Sequence, residues 1–299
     1  MKTVKIATHS GTFHSDEVFA LAVLKLSFEK AGKQVEIVRT RDLEIISSSD
    51  VVVDVGEVYN HSKKRYDHHQ KARLEKRDNG IPYASLGLIW KHYGKKLSPN
   101  KKVLSTIEQK LVMPIDALDN GIAVSNSIFE GVKEYTNFQV LQAINSAFGE
   151  GKETEAFEKC LELACLVIVG EIKKAEAKIV NEEKVNQEII KQGHPEVLVL
   201  EKYLTWEVPV SKSKNIKLVI FPDGFSTNWC IQTARDNLDV FGSDRTSFPP
   251  DWRGLSSSLL AEVTGIPGAI FCHMGGFYAV VSSKSGAMEM ANKVISFKV

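Results

Sequence analysis

Five consecutive residues, Val51-Val52-Val53-Asp54-Val55, constrain the fold more than any other stretch of the chain. Apolar side chains at both odd and even positions leave no polar face. A strand built from them must be covered on both sides, as in a parallel sheet. The flanking pattern agrees. Val4–Thr8 and Val35–Arg39 read as strands, and between them Asp16–Lys30 places Val18, Leu21, Ala22, Leu24, Lys25 and Phe28 at helical spacing with one apolar face. Strands alternating with helices predict an α/β fold with crossover helices. Ligands in such sheets bind beyond the carboxyl ends of the strands, and Asp54 falls at such an end.

Asp54 is one of a set. Four short acidic and histidine clusters occupy the first 120 residues: THSGTFHSDE (8–17), VVVDVG (51–56), YDHHQ (66–70) and IDALDNG (115–121). Together they offer His9, His14, Asp16, Asp54, Asp67, His68, His69, Asp116 and Asp119. Each begins where an apolar run ends or a helix starts, so the fold would draw them to one edge. Unpaired carboxylates are costly to desolvate, and a set this dense implies a compensating cation. Asp54 can bridge two cations with its two oxygens. Asp16 alone could be a helix N-cap. Mixed imidazole and carboxylate donors suit Mn²⁺, Mg²⁺, Co²⁺ or Zn²⁺, and no cysteine lies near to favour a closed zinc site. Two such cations would serve in-line phosphoryl displacement by an activated water, with carboxylates such as Asp67 or Glu17 holding the imidazole tautomers.

The rest of the composition sets bounds. Basic and acidic residues nearly cancel, 38 against 37, so no global field advertises nucleic acid, although a local patch would suffice. Cys160, Cys165, Cys230 and Cys272 form no C-x-x-C pair and read as reduced structural thiols. The start MKTVKIATHSG lacks a signal-peptide pattern, and no apolar run approaches membrane-spanning length. A cytoplasmic enzyme without a membrane partner is the expected class. Helices are predicted over Ser85–Tyr93, Ser105–Ala117 and Glu153–Lys191. Beyond Gly193-His194-Pro195 the texture changes to strands at Val197–Leu200, Lys217–Phe221, Trp229–Thr233, Ala269–His273 and Tyr278–Ser282, closed by a helix from about Gly286. Lys63-Lys64-Arg65 reads as a solvated run, and Trp90 and Trp206 as packing residues.

The triplet Asp67-His68-His69, with the strand ending in Asp54 and the N-terminal His…Asp loop, resembles the DHH phosphoesterase superfamily. THSGTFHSDE, DVGEVYN, RYDHHQ, DALDNGI, WRGL and GIPGAIFCH resemble signatures of its melanocyte-proliferating-gene (MYG) branch, from residue 8 to residue 273. The resemblance implies a parallel-sheet DHH metal domain with a helical connector (1–195) and a smaller mixed α/β domain (196–299) that holds substrate and closes over the site. It implies 3′-to-5′ exonuclease action on RNA or another single strand with two divalent cations, Mn²⁺ foremost. By motif, His9, His14 and Asp54 would hold one metal, and Asp16, Asp54, His68 and Asp119 the other. Asp116 competes with Asp119 for the late position, and the superfamily's pattern favours Asp119. His69 would contact phosphate, and Asp67 would act beside it. One departure stands out: the superfamily's D-x-D slot reads His14-Ser15-Asp16 here, which removes a negative charge and leaves the metal open.

The resemblance also draws attention to Arg253, His273, Gly275 and Gly276 in the second half. The Gly275 and Gly276 amides would donate to phosphate, Arg253 would bind it bidentately, and Trp252 or Phe277 would stack on a base. Arg235 is a weaker candidate of the same kind. Two other functions fit the chain less well: hydrolysis of a small phosphoester such as a dinucleotide or nucleotide monophosphate, and a non-catalytic metal-binding module associated with RNA. The assembly is read as open, with a homodimer one possibility.

Overall fold

The computed structural model describes residues 2–70 and 75–297. It divides into two compact units, Met1–Glu176 and Ala177–Val299. The first unit begins with β1 (Thr3–Thr8), α1 (Ser15–Lys30), β2 (Gln34–Arg39), α2 (Leu43–Ser48) and β3 (Val51–Val53). A short hairpin of β4 (Tyr59–Asn60) and β5 (Arg65–Tyr66) follows, then α3 (Ser85–Leu97), α4 (Lys101–Ile107), α5 (Met113–Asp119), α6 (Asn137–Phe148) and the long α7 (Glu153–Lys191). The dividing point between the units falls inside α7.

The first sheet has the order β2-β1-β3-β5-β4. β1 runs parallel to β2 and β3, and β3 runs parallel to β5. Val51, Val52 and Val53 are all buried, as a strand covered on both faces requires. The sheet is parallel only in part, because β4 pairs antiparallel with β5. Two-residue strands carry no periodicity, so this hairpin is invisible in the sequence pattern. Its turn uses the Lys63-Lys64-Arg65 run: Lys63 and Lys64 are exposed, and Lys64 takes a left-handed φ of 55°.

α1 departs from its expected single apolar face. Every residue from Ser15 to Leu24 is buried. Phe19, Ala20 and Val23 leave no polar side, and α3, α5, α6 and the sheet pack around the helix. The helix expected over Ser105–Ala117 is longer and locally widened. Between α4 and α5 lies an i→i+5 segment, Glu108–Val112, in which the Met113 N–H donates to the Glu108 carbonyl. Pro114, in the first turn of α5, has no N–H to offer the carbonyl four residues back, and a single wide turn accommodates it.

The second unit holds β6 (Val197–Val199), α8 (Glu207–Lys212), β7 (Leu218–Pro222), β8 (Trp229–Thr233), α9 (Ser257–Thr264), β9 (Ala269–Cys272), β10 (Tyr278–Val281) and α10 (Lys284–Ser296). Its sheet order is β6-β7-β8-β10-β9, with only β6 and β7 parallel. The mixed α/β character expected for this half is present. All four cysteines are free thiols. Among the described residues, no helix is long and apolar enough to cross a membrane.

Candidate metal centre

Three of the four clusters begin where a strand of the first sheet stops. β1 ends at Thr8 and is followed by His9, β3 ends at Val53 and is followed by Asp54, and β5 ends at Tyr66 and is followed by Asp67-His68-His69. Because these strands are parallel, their carboxyl ends share one edge. The fourth contribution, Asp119, closes α5.

The turn after β3 is held in an uncommon conformation. Asp54 has φ 54°, Gly56 φ 91° and Glu57 φ 55°. Aspartate tolerates the left-handed region better than most residues, and such strain collects at functional sites. The turn is tied down from several directions. The Asp54 N–H donates to the Tyr66 carbonyl at 3.0 Å, and Ser85 Oγ, on α3, donates to Asp54 Oδ1 at 2.9 Å. Asp67 supplies the remaining ties: its Oδ2 accepts from the Glu57 N–H at 2.6 Å, and its Oδ1 from the His69 N–H at 2.9 Å. His69 Nδ1 also lies 2.9 Å from Asp67 Oδ1. Asp67 therefore orients His69 and locks two turns together.

The two oxygens of Asp54 face different groups. Oδ2 lies 3.4 Å from His9 Nε2. Oδ1 lies 3.3 Å from His68 Nε2 and 3.5 Å from His69 Nδ1. His68 Nε2 is also 3.1 Å from Asp119 Oδ2 and 3.8 Å from Asp16 Oδ2, while His9 Nε2 is 2.9 Å from Glu17 Oε1. Four overlapping triads converge on this edge: His9–His14–Glu17, Asp16–Glu17–Asp54, Asp54–His68–His69 and Asp16–His68–Asp119. Every sequence-predicted ligand of the first unit is brought here. Asp119 joins His68, whereas Asp116 points elsewhere: Oδ2 accepts from Arg77 Nη2 at 2.7 Å, and Oδ1 from the Gly87 N–H at 3.0 Å. Only glycine fits at position 87, since a Cβ there would sit 1.9 Å from Asp116 Oδ2.

Glu17 belongs to the cluster more closely than the sequence suggests. It stands in the third position of α1, whose N-cap is His14 rather than Asp16. Its Oε2 accepts from the His14 N–H at 2.7 Å, and its Oε1 faces inward.

Orphaned polar atoms test whether a cation fits. Both oxygens of Asp16 are sequestered from solvent and make no hydrogen bond, while Glu17 Oε1 and His68 Nε2, equally sequestered, face only the imidazole and carboxylate groups of the cluster. Buried polar atoms are rarely left this way. They are donors of the type that ligate oxygen- and nitrogen-preferring divalent metals. Two such ions would balance the four carboxylates Asp16, Glu17, Asp54 and Asp119. The residues therefore fit a two-cation site.

Without cations, protons must do the balancing. Burial raises the Asp16 carboxyl well above its usual range, and the Asp54, Asp119 and Glu17 carboxylates add to the effect. Burial disfavours charge on His9 and His68, but carboxylates overcome it. Asp54 and Glu17 bring His9 to about 10, and Asp119 and Asp54 bring His68 to about 10. Asp54 itself is held below its usual range: burial opposes this, and His68 and His9 override it. Both imidazoles are thus protonated at pH 7 in the metal-free protein, and ligation needs them neutral. Mn²⁺ added to stripped protein in weak buffer at pH 7 is expected to acidify the solution by at least two protons per chain, from His9 and His68, with Asp16 adding to the release as far as its carboxyl is protonated. A pH-stat titration showing metal uptake without proton release would contradict this arrangement.

Arg253, His273, Gly275 and Gly276 form a separate group in the second unit, and their donors are largely engaged. The Gly275 N–H donates to His273 Nδ1 at 2.9 Å, and the Gly276 N–H to the His273 carbonyl at 2.9 Å. The expected phosphate cradle of these two amides is therefore not available: the tight turn consumes both. Gly276 (φ 67°) also leaves room for Arg253, whose Nε would lie 2.6 Å from a Cβ there. Arg253 donates from Nε to the Phe248 carbonyl and from Nη2 to Ser247 Oγ, each at 2.9 Å. Trp252 is buried in the core of this unit and cannot stack on a base, whereas Phe277 is half-buried and packs against His273. Arg235 lies 3.5 Å from Asp244 and over the Phe241 ring.

The uncharacterised protein family UPF0160, MYG1_exonuc, matches residues 5–295 of this chain. The MYG1 protein of Dictyostelium discoideum is 33% identical over 99% of this chain and 98% of its own length. The MYG1 exonuclease of Mus musculus is 33% identical over 99% of this chain and 86% of its own. Among solved structures, RecJ from Thermus thermophilus in complex with Mn²⁺ aligns with 98% of this chain at 14% identity and a TM-score of 0.28. This chain spans about half of that RecJ chain, 52%. A superposition that loose transfers no residue roles.

Proposed function

The chain belongs to the MYG1_exonuc family, UPF0160, and from that premise we propose that it is a metal-dependent exonuclease that hydrolyses phosphodiester bonds. The observation that carries the reading is Asp54, whose two oxygens face two separate sets of ligand-type atoms. On this reading His9, His14, Glu17 and Asp54 hold one cation, and Asp16, Asp54, His68 and Asp119 the other. Mn²⁺ is the cation we favour, and the mixed imidazole and carboxylate donors also suit Mg²⁺, Co²⁺ and Zn²⁺. Such ions supply a nucleophile at neutral pH and neutralise charge on the phosphoryl group.

The protein's own groups do the rest. Asp67 fixes the His69 ring through Nδ1 and, in the metal-free protein, raises its pKa. The His69 side chain is 59% exposed and lines a cavity of about 360 Å³ beside Asp54 and Asp119. It is placed to contact a phosphate oxygen or to donate a proton to the leaving oxygen. Ser85 orients Asp54 from α3. Single-stranded RNA degraded from its 3′ end is the substrate we favour.

A second reading, hydrolysis of a small phosphoester, draws support from the near-balance of charges, 38 basic to 37 acidic. Turnover of 5′-labelled RNA by stripped protein, with each metal added back, tests the first reading. The expected result is a ladder shortening from the 3′ end only with metal. Immediate release of the labelled 5′ mononucleotide, with no intermediate ladder, would reverse the polarity. Cleavage of dinucleotides alone, insensitive to added salt, would move the substrate to the small class, because a polymer groove loses affinity steeply with salt. No hydrolysis with any bound metal would sink the proposal.

A further inference from the structure

The cavity beside the metal cluster has a wall that metal chemistry does not require. Besides His14, Asp54, His69 and Asp119 it is lined by Ile115, Leu118 and Phe138. Phe138 is the second residue of α6, a helix in which only Leu141 is buried, and its ring remains 38% exposed. Its ring stacks on His14, with centroids 5.8 Å apart and planes within 25°. His14 in turn belongs to the ligand cluster. The aromatic surface therefore begins one side chain from the cations' position.

The helix that carries Phe138 is tied to the metal-cluster loop. Gln142 Nε2, one turn further along α6, donates to the Phe13 carbonyl at 3.0 Å, which fastens the helix to the His9–Glu17 loop. Asn137, which also lines the cavity, accepts from the Phe138 N–H through Oδ1 at 2.9 Å. The volume, about 360 Å³, lies at the low end of small-molecule pockets. It suits one nucleotide rather than a length of strand.

We propose that this cavity is the subsite for the single nucleobase next to the scissile phosphodiester, with Phe138 as its stacking platform. The proposal rests on the phosphodiesterase reading and adds to it the part of the substrate that is gripped. Stacking on an aromatic ring accepts any base, because every base has a π-face. The subsite therefore selects for the presence of a base and not for its identity, as successive removal of nucleotides from a mixed sequence requires.

The test compares Phe138→Ala and Phe138→Trp with the wild-type protein in two measurements. The first is equilibrium binding of adenosine 5′-monophosphate and of ribose 5-phosphate to Mn²⁺-loaded protein. Phe138→Ala is expected to weaken adenosine monophosphate binding roughly tenfold, within the 5- to 150-fold range that loss of one base–aromatic stack gives. Ribose 5-phosphate binding should not change, and Phe138→Trp should restore the nucleotide affinity. The second measurement is KM for an oligonucleotide with an intact terminal base against one with an abasic terminus. The alanine variant should raise KM only for the intact substrate, with Mn²⁺ content unchanged. Equal losses for nucleotide and ribose phosphate, or for intact and abasic ends, would overturn the proposal. So would failure of the wild-type protein to prefer adenosine monophosphate over ribose 5-phosphate. If nucleotide binding depends on Phe138 while no phosphodiester is cleaved, the subsite stands and the hydrolytic reading falls.

Discussion

Asp54→Asn is expected to lower turnover by at least two orders of magnitude, the scale for loss of one preorganised charge-stabilising group, and to leave the protein folded. Asparagine keeps the size of the side chain, tolerates the left-handed backbone at φ 54°, and can still accept from Ser85 Oγ. It cannot present two anionic oxygens, one toward His9 and the other toward His68 and His69. Two readouts separate the causes. Bound Mn²⁺ per chain, measured after gel filtration, should fall, because the carboxylate shared between the two halves of the cluster is gone. Addition of Mn²⁺ should also raise the thermal midpoint less than in the wild-type protein, since ligand binding to the native state stabilises it by mass action. A variant that retains more than about a tenth of wild-type turnover would rule out a bridging carboxylate, since a tenfold change corresponds to only about 1.4 kcal/mol. A variant that unfolds would be replaced by Asp119→Asn, which removes a proposed ligand from a partly exposed position where no turn depends on it.

The clustering of these residues was legible in the sequence for a physical reason. Parallel strands carry their ligands at their carboxyl ends, and short strands with abrupt apolar-to-polar transitions advertise those ends. Val51–Val53 followed by Asp54 is the clearest case, and His9 after Thr8 repeats it. Features that depend on three-dimensional pairing were not legible. The β4–β5 hairpin is two residues deep, below any periodicity, yet it delivers Asp67-His68-His69. Glu17 looked like a supporting carboxylate because a helix start can point it in several directions. Burial of α1 on all sides turned its Oε1 into the cluster. The Gly275-Gly276 turn looked like an anion cradle because its sequence does not show that both amides are consumed by His273. Phe138 lay in a segment whose helix was not anticipated, and its value comes from proximity to His14, 124 positions earlier in the numbering.

The largest effect on stability is expected at a residue that touches no ligand. Arg77→Met should destabilise the protein by about 3–5 kcal/mol, the usual cost of stranding one member of a buried ion pair. Arg77 places Nη2 2.7 Å from Asp116 Oδ2 and Nε 2.5 Å from Glu108 Oε1. Asp116 has no exposed surface, and Glu108 lies in the wide turn that precedes α5. Methionine preserves much of the packing and removes the charge. Burial already outweighs Arg77 at Asp116 and brings its carboxyl up to about 7. With its folded pKa above the unfolded value, this group favours the folded state at low pH, and the advantage is lost as pH rises toward 7. Without the guanidinium the folded pKa rises further, so ionisation of Asp116 costs more. The destabilisation caused by Arg77→Met should therefore be greater at pH 8 than at pH 5, as read from urea midpoints at the two pH values. An equal loss at both would mean that the guanidinium acts through packing alone. Because α5 carries Asp119 three residues beyond Asp116, the same variant should bind Mn²⁺ more weakly at pH 8, where α5 is least secure. The structural pair and the metal centre would then be linked through one helix.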